Sequence, residues 1–253
     1  MKVVKLSLQY DGTDFVGWQR QATGTSIQGL LEDALQPIEG SHVNVHGAGR
    51  TDAGVHALGQ VCSFRLNAAI EPRSLILALN AVLPPDIRVA DAQVMPDDFH
   101  ARFSSTGKIY DYRIVTGLFA SPFLRRYSWH VKGRLDIDLM REASSRFVGT
   151  HDFAALQGHG AVRRTTVRTV SRLDWSGSGG TEDPLVMRIE GGGFLRHMVR
   201  NIAGTLVDIG LHRRAPSDIE IILASRSRPA AGPTAPAAGL FLRQVLYSAK
   251  IAP

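Results

Sequence analysis

One carboxylate stands in a glycine-rich segment that is suited to chemistry on a bulky ligand. Residues 47–56 read Gly-Ala-Gly-Arg-Thr-Asp-Ala-Gly-Val-His, which places Asp52 two positions after Arg50. Glycines tolerate positive φ angles and let a ligand approach the backbone closely. A nearby guanidinium favours the ionised carboxylate that a nucleophile or a cation-stabilising group requires. The segment therefore predicts a site built around the single carboxylate of Asp52.

Two simpler interpretations of the same segment stay open at this point. Val43, Val45 and the Gly-x-Gly that follows could form the phosphate-binding turn of a dinucleotide fold, but the next glycine is at 54 and no long helix follows. Asp-Ala-Gly is also ordinary chemistry for a hairpin turn. The glycine spacing disfavours the first interpretation, and the second remains the structural alternative to a catalytic role.

Composition favours a nucleic-acid partner in a reducing compartment. The formal net charge is +6, and 24 of the 29 basic residues are arginine, a side chain that grips phosphates and stacks on bases. A GC-rich genome would produce the same bias. The single cysteine, Cys62, excludes an internal disulfide and fits the cytoplasm. The sequence shows no signal peptide and no apolar run near the ~18 residues of a membrane span.

The elements that must position Asp52 follow a β-α-β-β-α-β order. Ser26 is predicted to cap the first helix, and Pro72 to open a second helix through Val82. Alternating or continuous apolar runs predict the strands at 3–10, 43–46, 60–66 and 87–94.

The rest of the chain repeats that order. Asp136 is predicted to cap one helix, and a second, longer helix is predicted over 195–209. Residues 226–238 are rich in Pro, Ala and Gly, which predicts a solvated loop or a mobile flap. The predicted strands are 108–115, 167–175, 185–190 and 240–247.

Each half is thus a unit of the ferredoxin-like kind. We expect an α+β fold made of two such halves, with a mostly antiparallel sheet. The predicted halves are residues 1–105, which carry the Asp52 loop, and residues 106–253. A cleft between halves is a usual place for a site.

Three further stretches, residues 10–21, 99–108 and 191–201, mix aromatic, glycine and polar or basic residues in a way that pure structure does not require. Together with the Asp52 segment they contain four motifs, residues 10–21, 50–56, 99–103 and 198–201. In this order and spacing they resemble the tRNA pseudouridine synthase A family, and the resemblance covers nearly the whole chain. Departures from the family pattern occur at Ala154-Ala155-Leu156, at 164–168, where a proline is absent, and in the long Ser/Gly tip at 176–183.

The resemblance implies a reaction and a set of residues. It implies isomerisation of uridine to pseudouridine in the anticodon stem-loop of tRNA, at tRNA positions 38, 39 and 40. It also implies a homodimer and a reaction that needs no cofactor or metal. Asp52 would be the essential carboxylate, Arg50 would hold it ionised, and Tyr110, Arg200 and either Leu240 or Leu242 would contact the substrate.

Arginine contacts to phosphates would offset the few kcal/mol that extrusion of a base from the stem-loop costs. The candidates for these tRNA contacts are Arg20, Arg102, Arg125, Arg126, Arg163, Arg164 and Arg168.

Two other classes of function remain as alternatives. One is a non-catalytic RNA-binding module, although the sequence lacks the aromatic sheet motif of the common RNA-recognition domain. The other is a metal-dependent hydrolase that uses Asp11, Asp14 and Asp52. A chelator would abolish the activity of the hydrolase and leave that of an isomerase unchanged.

Overall fold

The computed structural model describes residues 1–158, 160 and 165–248, and the chain divides into two units. One unit comprises residues 1–106 together with the segment that begins at Phe241, and the other comprises Gly107–Leu240. The predicted boundary at 105/106 stays a prediction, but the last strand groups with the first unit. Among the described residues, no helix is both long and apolar enough to cross a membrane.

The first unit has the predicted β-α-β-β-α-β order. Strand β1 lies between β3 and β4 and pairs antiparallel with both, and β2 pairs antiparallel with β3. The resulting order β4-β1-β3-β2 is that of a ferredoxin-like unit. The elements are β1 (Lys2–Tyr10), α1 (Ile27–Glu39), β2 (His46–Gly47), β3 (His56–Leu66), α2 (Pro72–Val82) and β4 (Ile87–Met95).

Local sequence signals set these elements. The Ser26 hydroxyl accepts a hydrogen bond from the Gly29 amide at 3.2 Å and caps α1, as expected. Pro72 occupies the first turn of α2. Cys62 is fully buried in β3, and burial raises the pKa of its thiol, so it packs as a small apolar residue.

The second unit is also a mainly antiparallel sheet, in the order β5-β9-β8-β7, with β6 parallel to β5. Its elements are β5 (Ser105–Thr116), β6 (Trp129–Val131), α3 (Ile137–Ser145), β7 (Gly149–Asp152), β8 (Val167–Ser176), β9 (Leu185–Gly191), α4 (Met198–Gly210) and α5 (Asp218–Ser225). The α+β class and the mostly antiparallel sheets confirm the predicted fold class.

The sequence predicts the last strand, β10 (Leu240–Tyr247), but not the strand with which it pairs. It runs parallel to β3, with Phe241 opposite His56 and Leu242 opposite Ala57, and so extends the sheet of the first unit. Its bounds match the prediction. The pairing was not predicted, because periodicity indicates a strand but not the strand with which it pairs.

Several element predictions need smaller corrections. The strand expected at 43–46 is reduced to His46–Gly47, and α4 begins at Met198 instead of Leu195. Strands β6 and β7 have three and four residues, too few to show a period. Helix α5 was missed because its apolar residues do not keep to one face: Ile222 is buried, and the adjacent Ile221 is exposed.

Candidate active site

Asp52 lies in a tight turn between β2 and β3. The Val55 amide donates to the Asp52 carbonyl at 3.1 Å, and Gly54 closes the turn with a φ of +75°. The hairpin-turn interpretation is therefore correct for the backbone. It does not compete with a chemical role, because the Asp52 side chain is only half-buried.

The segment that follows β1 fixes this turn from its other side. The Trp18 amide donates to the Thr51 carbonyl at 3.0 Å, and an antiparallel bridge joins Gly17 to Asp52. Gly17 has a φ of +108°, and a Cβ there would lie 2.7 Å from the Thr51 carbonyl oxygen. Only glycine fits both constraints. Two stretches that the sequence singled out separately thus meet at the carboxylate.

A buried polar network holds the residues just before Asp52. The Tyr10 hydroxyl lies 2.8 Å from Thr51 Oγ1, and Gln60 Nε2 donates to the Tyr10 hydroxyl at 3.3 Å and to the Gly49 carbonyl at 3.0 Å. Burial raises the pKa of Tyr10 to about 12, so its hydroxyl stays neutral. The network fixes the backbone from Gly49 to Thr51.

Gly47 has a packing role. A Cβ at this position would lie 2.5 Å from the indole ring of Trp18, which is itself buried. The first glycine of the Gly-x-Gly pattern therefore accommodates a tryptophan face, which accounts for that glycine without a bound phosphate.

His56 and Phe241 complete the surroundings of the turn, and the sequence reasoning assigned neither a role. The buried His56 ring stacks on Phe241 with 4.6 Å between ring centroids and 22° between planes. Its Nδ1 lies 3.1 Å from both the Gly12 amide and the Asp11 Oδ1 atom. A Cβ at Gly12 would lie 2.0 Å from the Val55 carbonyl oxygen. The position of His56 at the end of the 50–56 motif was the available signal.

Arg50 lies two positions before Asp52, and its side chain is exposed. Both of its predicted roles, holding Asp52 ionised and contacting a phosphate, stay predictions.

Three other predicted substrate contacts belong to the second unit. Tyr110 lies in β5 opposite Ile189, is 8% exposed, and packs edge-to-face on Phe194 with 5.3 Å between ring centroids. Leu240 is the buried first residue of β10. Arg200, in the first turn of α4, donates through Nε to the Ala235 carbonyl at 2.7 Å.

The Pro-rich segment packs on α4, which corrects the prediction of a solvated loop or mobile flap. The Gly232 amide donates to Thr205 Oγ1 at 3.0 Å, and the Ala235 amide donates to the Arg200 carbonyl at 3.2 Å. Ala235 is 1% exposed. Both the backbone and the guanidinium of Arg200 are therefore tied to this segment.

The predicted tRNA-binding arginines have different environments. Arg20 donates to Glu32 at 2.8 Å and also pairs with Asp33, so its guanidinium is engaged in holding α1. Arg168 is half-buried and donates to the Thr165 carbonyl at 3.1 Å. Arg20 is nevertheless exposed, as are Arg102, Arg125 and Arg126, and Arg163 and Arg164 lie outside the described residues.

The acidic residues of the hydrolase alternative show no metal-binding arrangement. Asp11 accepts a hydrogen bond from the Thr13 amide at 3.0 Å. Within residues 1–158, 160 and 165–248, no group of three or more His, Cys, Asp or Glu side chains could hold a metal ion.

Comparison with known proteins gives a consistent result. A family profile described as tRNA pseudouridine synthase matches residues 7–104 and 143–248. These ranges include Asp52, Arg200 and Leu240, whereas Tyr110 lies between them.

Curated relatives match along almost the whole chain. The chain is 45% identical to tRNA pseudouridine synthase A of Syntrophotalea carbinolica, over 98% of this chain and 97% of the relative. The identity is 44% with the protein of the same name from Myxococcus xanthus, over 98% and 92%. It is 43% with that of Acetivibrio thermocellus, over 98% and 100%.

Proposed function

The chain belongs to the tRNA pseudouridine synthase family, and on that premise we propose that Asp52 is the carboxylate with which it isomerises uridine to pseudouridine in the anticodon stem-loop of tRNA. The observation that carries the assignment is the fixed turn around Asp52. Gly17, Trp18 and the Tyr10 network hold its backbone, while its carboxylate stays half-buried. A single charge held in this way is suited to a reaction whose transition state develops charge at one atom.

The reaction leaves the composition of the nucleotide unchanged. The N1–C1′ bond breaks, the uracil turns over and C5 bonds to C1′. The proton on C5 is lost and N1 gains one, so the product is an isomer. A carboxylate stabilises the cation-like ribose that develops as a glycosidic bond breaks. Asp52 can attack C1′, add to C6 of the base or remove a ribose proton, and all three routes require its negative charge.

Tyr110, Leu240 and Arg200 are the residues that we propose contact the base. The Tyr110 ring stacks on the extruded uracil, and its hydroxyl takes part in proton transfer late in the reaction, accepting one proton as it gives up its own. The edge-to-face contact with Phe194 supports this role because it fixes the plane of the ring. Leu240 packs against the uracil, and Arg200, held by the Ala235 carbonyl, contributes positive charge.

Binding of tRNA depends on arginines that face solvent. Arg102, Arg125 and Arg126 contact phosphates, and so does Arg50 next to the target nucleotide. Arg163, Arg164 and Arg168 are further candidates. The homodimer rests on the family resemblance, and the cytoplasmic location on the tRNA substrate and on a sequence with one cysteine.

Pseudouridine mapping on tRNA from cells that lack this protein tests the function. We expect the anticodon stem-loop pseudouridines at positions 38, 39 and 40 to disappear. The wild-type protein should restore them, and Asp52→Asn should not. A non-catalytic RNA-binding protein would leave the pseudouridine pattern unchanged in all these strains.

A further inference from the structure

Three aromatic rings form a continuous series on the surface of the first unit, outside the turn of Asp52. The His46 and His100 ring centroids are 5.0 Å apart with 30° between planes, and those of His100 and Phe103 are 4.4 Å apart with 34°. We call His46, His100 and Phe103 the aromatic platform. His46 is exposed and Phe103 is 76% exposed, so the platform presents ring faces to solvent.

The backbone beneath the platform is fixed by buried contacts. The Ala101 amide donates to Ser63 Oγ at 2.9 Å, and the Tyr247 hydroxyl donates to the Ala101 carbonyl at 2.7 Å. Ser63 is paired with His46 across β2 and β3. These bonds anchor both ends of the ring series to the same strand. The exposed rings therefore stand on a rigid base.

The His100 ring, in the middle of the platform, is neutral and held in one orientation. His100 Nδ1 accepts hydrogen bonds from the Arg102 amide at 3.1 Å and the Phe103 amide at 3.4 Å, which places its proton on Nε2. Burial, and then the neighbouring His46, lower the pKa of His100. A neutral ring in a fixed orientation can support the Phe103 ring without the desolvation cost of a charge.

Charge and space beside the platform suit one nucleotide. The Arg102 guanidinium is exposed and lies 5.5 Å from the centroid of the Phe103 ring, where a phosphate can reach it. A cavity of about 620 Å³ adjoins His46 and His100 and is also lined by Asn44, Asp97 and Asp98. That volume lies within the usual range for a small-ligand site.

We propose that the aromatic platform binds one unpaired nucleotide of the tRNA substrate outside the active site, with its base stacked on the exposed Phe103 ring, which His100 supports from behind, and its phosphate on Arg102. The inference rests on the proposed function for the identity of the RNA. His46 is six residues before Asp52, so an extended chain separates them by at most about 22 Å. The nucleotide therefore belongs to the same stem-loop as the target uridine.

An RNA occupant fits this surface better than a protein. A protein-binding patch is a contiguous apolar area of several hundred Å², and only Phe103 of the platform is apolar. Every base has a face that stacks on an aromatic ring, and arginine completes such sites in single-stranded RNA binding. The net charge of +6 favours the same partner.

Phe103→Leu is the variant that tests the platform, because it keeps an apolar side chain and removes the ring. Binding of full-length tRNA is measured in the Asp52→Asn background, so that no turnover occurs. We expect the Kd to rise about 5- to 150-fold, the equivalent of the stacking of one base. Phe103→Tyr keeps the ring and should bind as the parent does. Phe119→Leu is the matched control, since Phe119 is 75% exposed in the second unit.

A second measurement reports stacking directly. A stem-loop RNA carrying 2-aminopurine at one loop position at a time should show quenched fluorescence at one position with the parent and with Phe103→Tyr. That quenching should be lost with Phe103→Leu.

Three outcomes would overturn the proposal. The first is an unchanged Kd in Phe103→Leu, and the second is an equal loss of binding in Phe119→Leu. The third is conversion of a dimer to a monomer by Phe103→Leu, seen in sedimentation, which would make the platform a contact between copies of the chain. Pseudouridine formation by the wild-type protein is assayed separately, so a failure of the proposed function is told apart from a failure of the platform.

Discussion

Residues 47–56 and residues 99–103 are both anchored to β3, yet they present their functional side chains differently. The turn of Asp52 offers one short carboxylate whose position is set by the backbone around it. The platform segment offers large, exposed side chains above a fixed backbone. Chemistry at one atom loses rate with a misplacement of 1 Å, whereas stacking on a flexible RNA loop tolerates adjustment. The comparison assigns turnover to the first region and affinity to the second.

The largest effect is expected from the carboxylate itself. Asp52→Asn removes the negative charge at nearly constant shape and should lower turnover by more than about a hundredfold, with folding and tRNA affinity retained. Asp52→Glu keeps the charge but moves it by one methylene, so it should also be strongly impaired if backbone placement matters. Single-turnover pseudouridine assays with tRNA binding measured in parallel check both variants. A tenth of wild-type turnover in Asp52→Asn would disprove the assignment.

The next largest effect is expected at Tyr110. This residue belongs to the second unit, and its ring is buried. Tyr110→Phe should bind tRNA normally and turn over about a hundredfold more slowly, because the hydroxyl takes part in proton transfer. Tyr110→Leu should lose binding by about 1–3 kcal/mol. Single-turnover rates and melting temperatures distinguish this from a purely structural role. If the role of Tyr110 is purely structural, Tyr110→Phe will have wild-type kinetics, and Tyr110→Leu will only lower the melting temperature.

Two tyrosines, Tyr10, which is buried, and Tyr247, which is half-buried, test the comparison between the two regions. Tyr10→Phe removes the hydroxyl that contacts Thr51 and should lower kcat about tenfold with little change in KM. Tyr247→Phe removes the hydroxyl that holds Ala101, so it should raise KM and leave kcat near wild type. Each variant leaves a buried partner unsatisfied and should cost about 1–3 kcal/mol of stability. Equal effects of both variants on kcat would contradict the division between turnover and affinity.

The smallest effect is expected from solvent-facing arginines. Neutralising Arg125 and Arg126 together with glutamine should weaken tRNA binding several-fold and reduce the salt slope of the Kd by about two. Titrations at several salt concentrations measure this. Arg141→Gln, at an exposed arginine paired with Asp138, is the control and should change neither quantity. A fall in single-turnover rate at saturating tRNA would place the pair in the reaction instead of in binding.

Local signals in the sequence were sufficient for the longer strands, for four of the five helices and for the place of Asp52 in a turn. Ser26 and Pro72 mark helix starts because capping depends on neighbouring residues only. Asp52 stood out because glycines surround it. The pairing of β10 with β3 could not be predicted, since a strand's own pattern is the same whichever partner it takes.

The contacts that surround the site could not be predicted for the same reason. Gly47 looks like a ligand-binding glycine until the ring of Trp18 is seen against it. His56 and Phe241 stack across nearly the whole length of the chain, and no local pattern joins them. Ala235 lies in a segment with the composition of a loop, yet contacts with α4 bury it. In each case the deciding contact is distant in sequence.

The pairing of β10 with β3 has a consequence for biosynthesis. A ribosome releases the residues of the Asp52 turn early, and N-terminal units generally fold first. The ring that packs on His56 comes from Phe241, which is made only after the entire second unit has been translated. In the nascent first unit, residues 56–57 of β3 therefore lack their β10 partner. The surroundings of Asp52 are completed only when the last strand emerges. A chain interrupted before Phe241 would carry the carboxylate but not the finished site, so that partial translation products do not gain the activity of the whole protein.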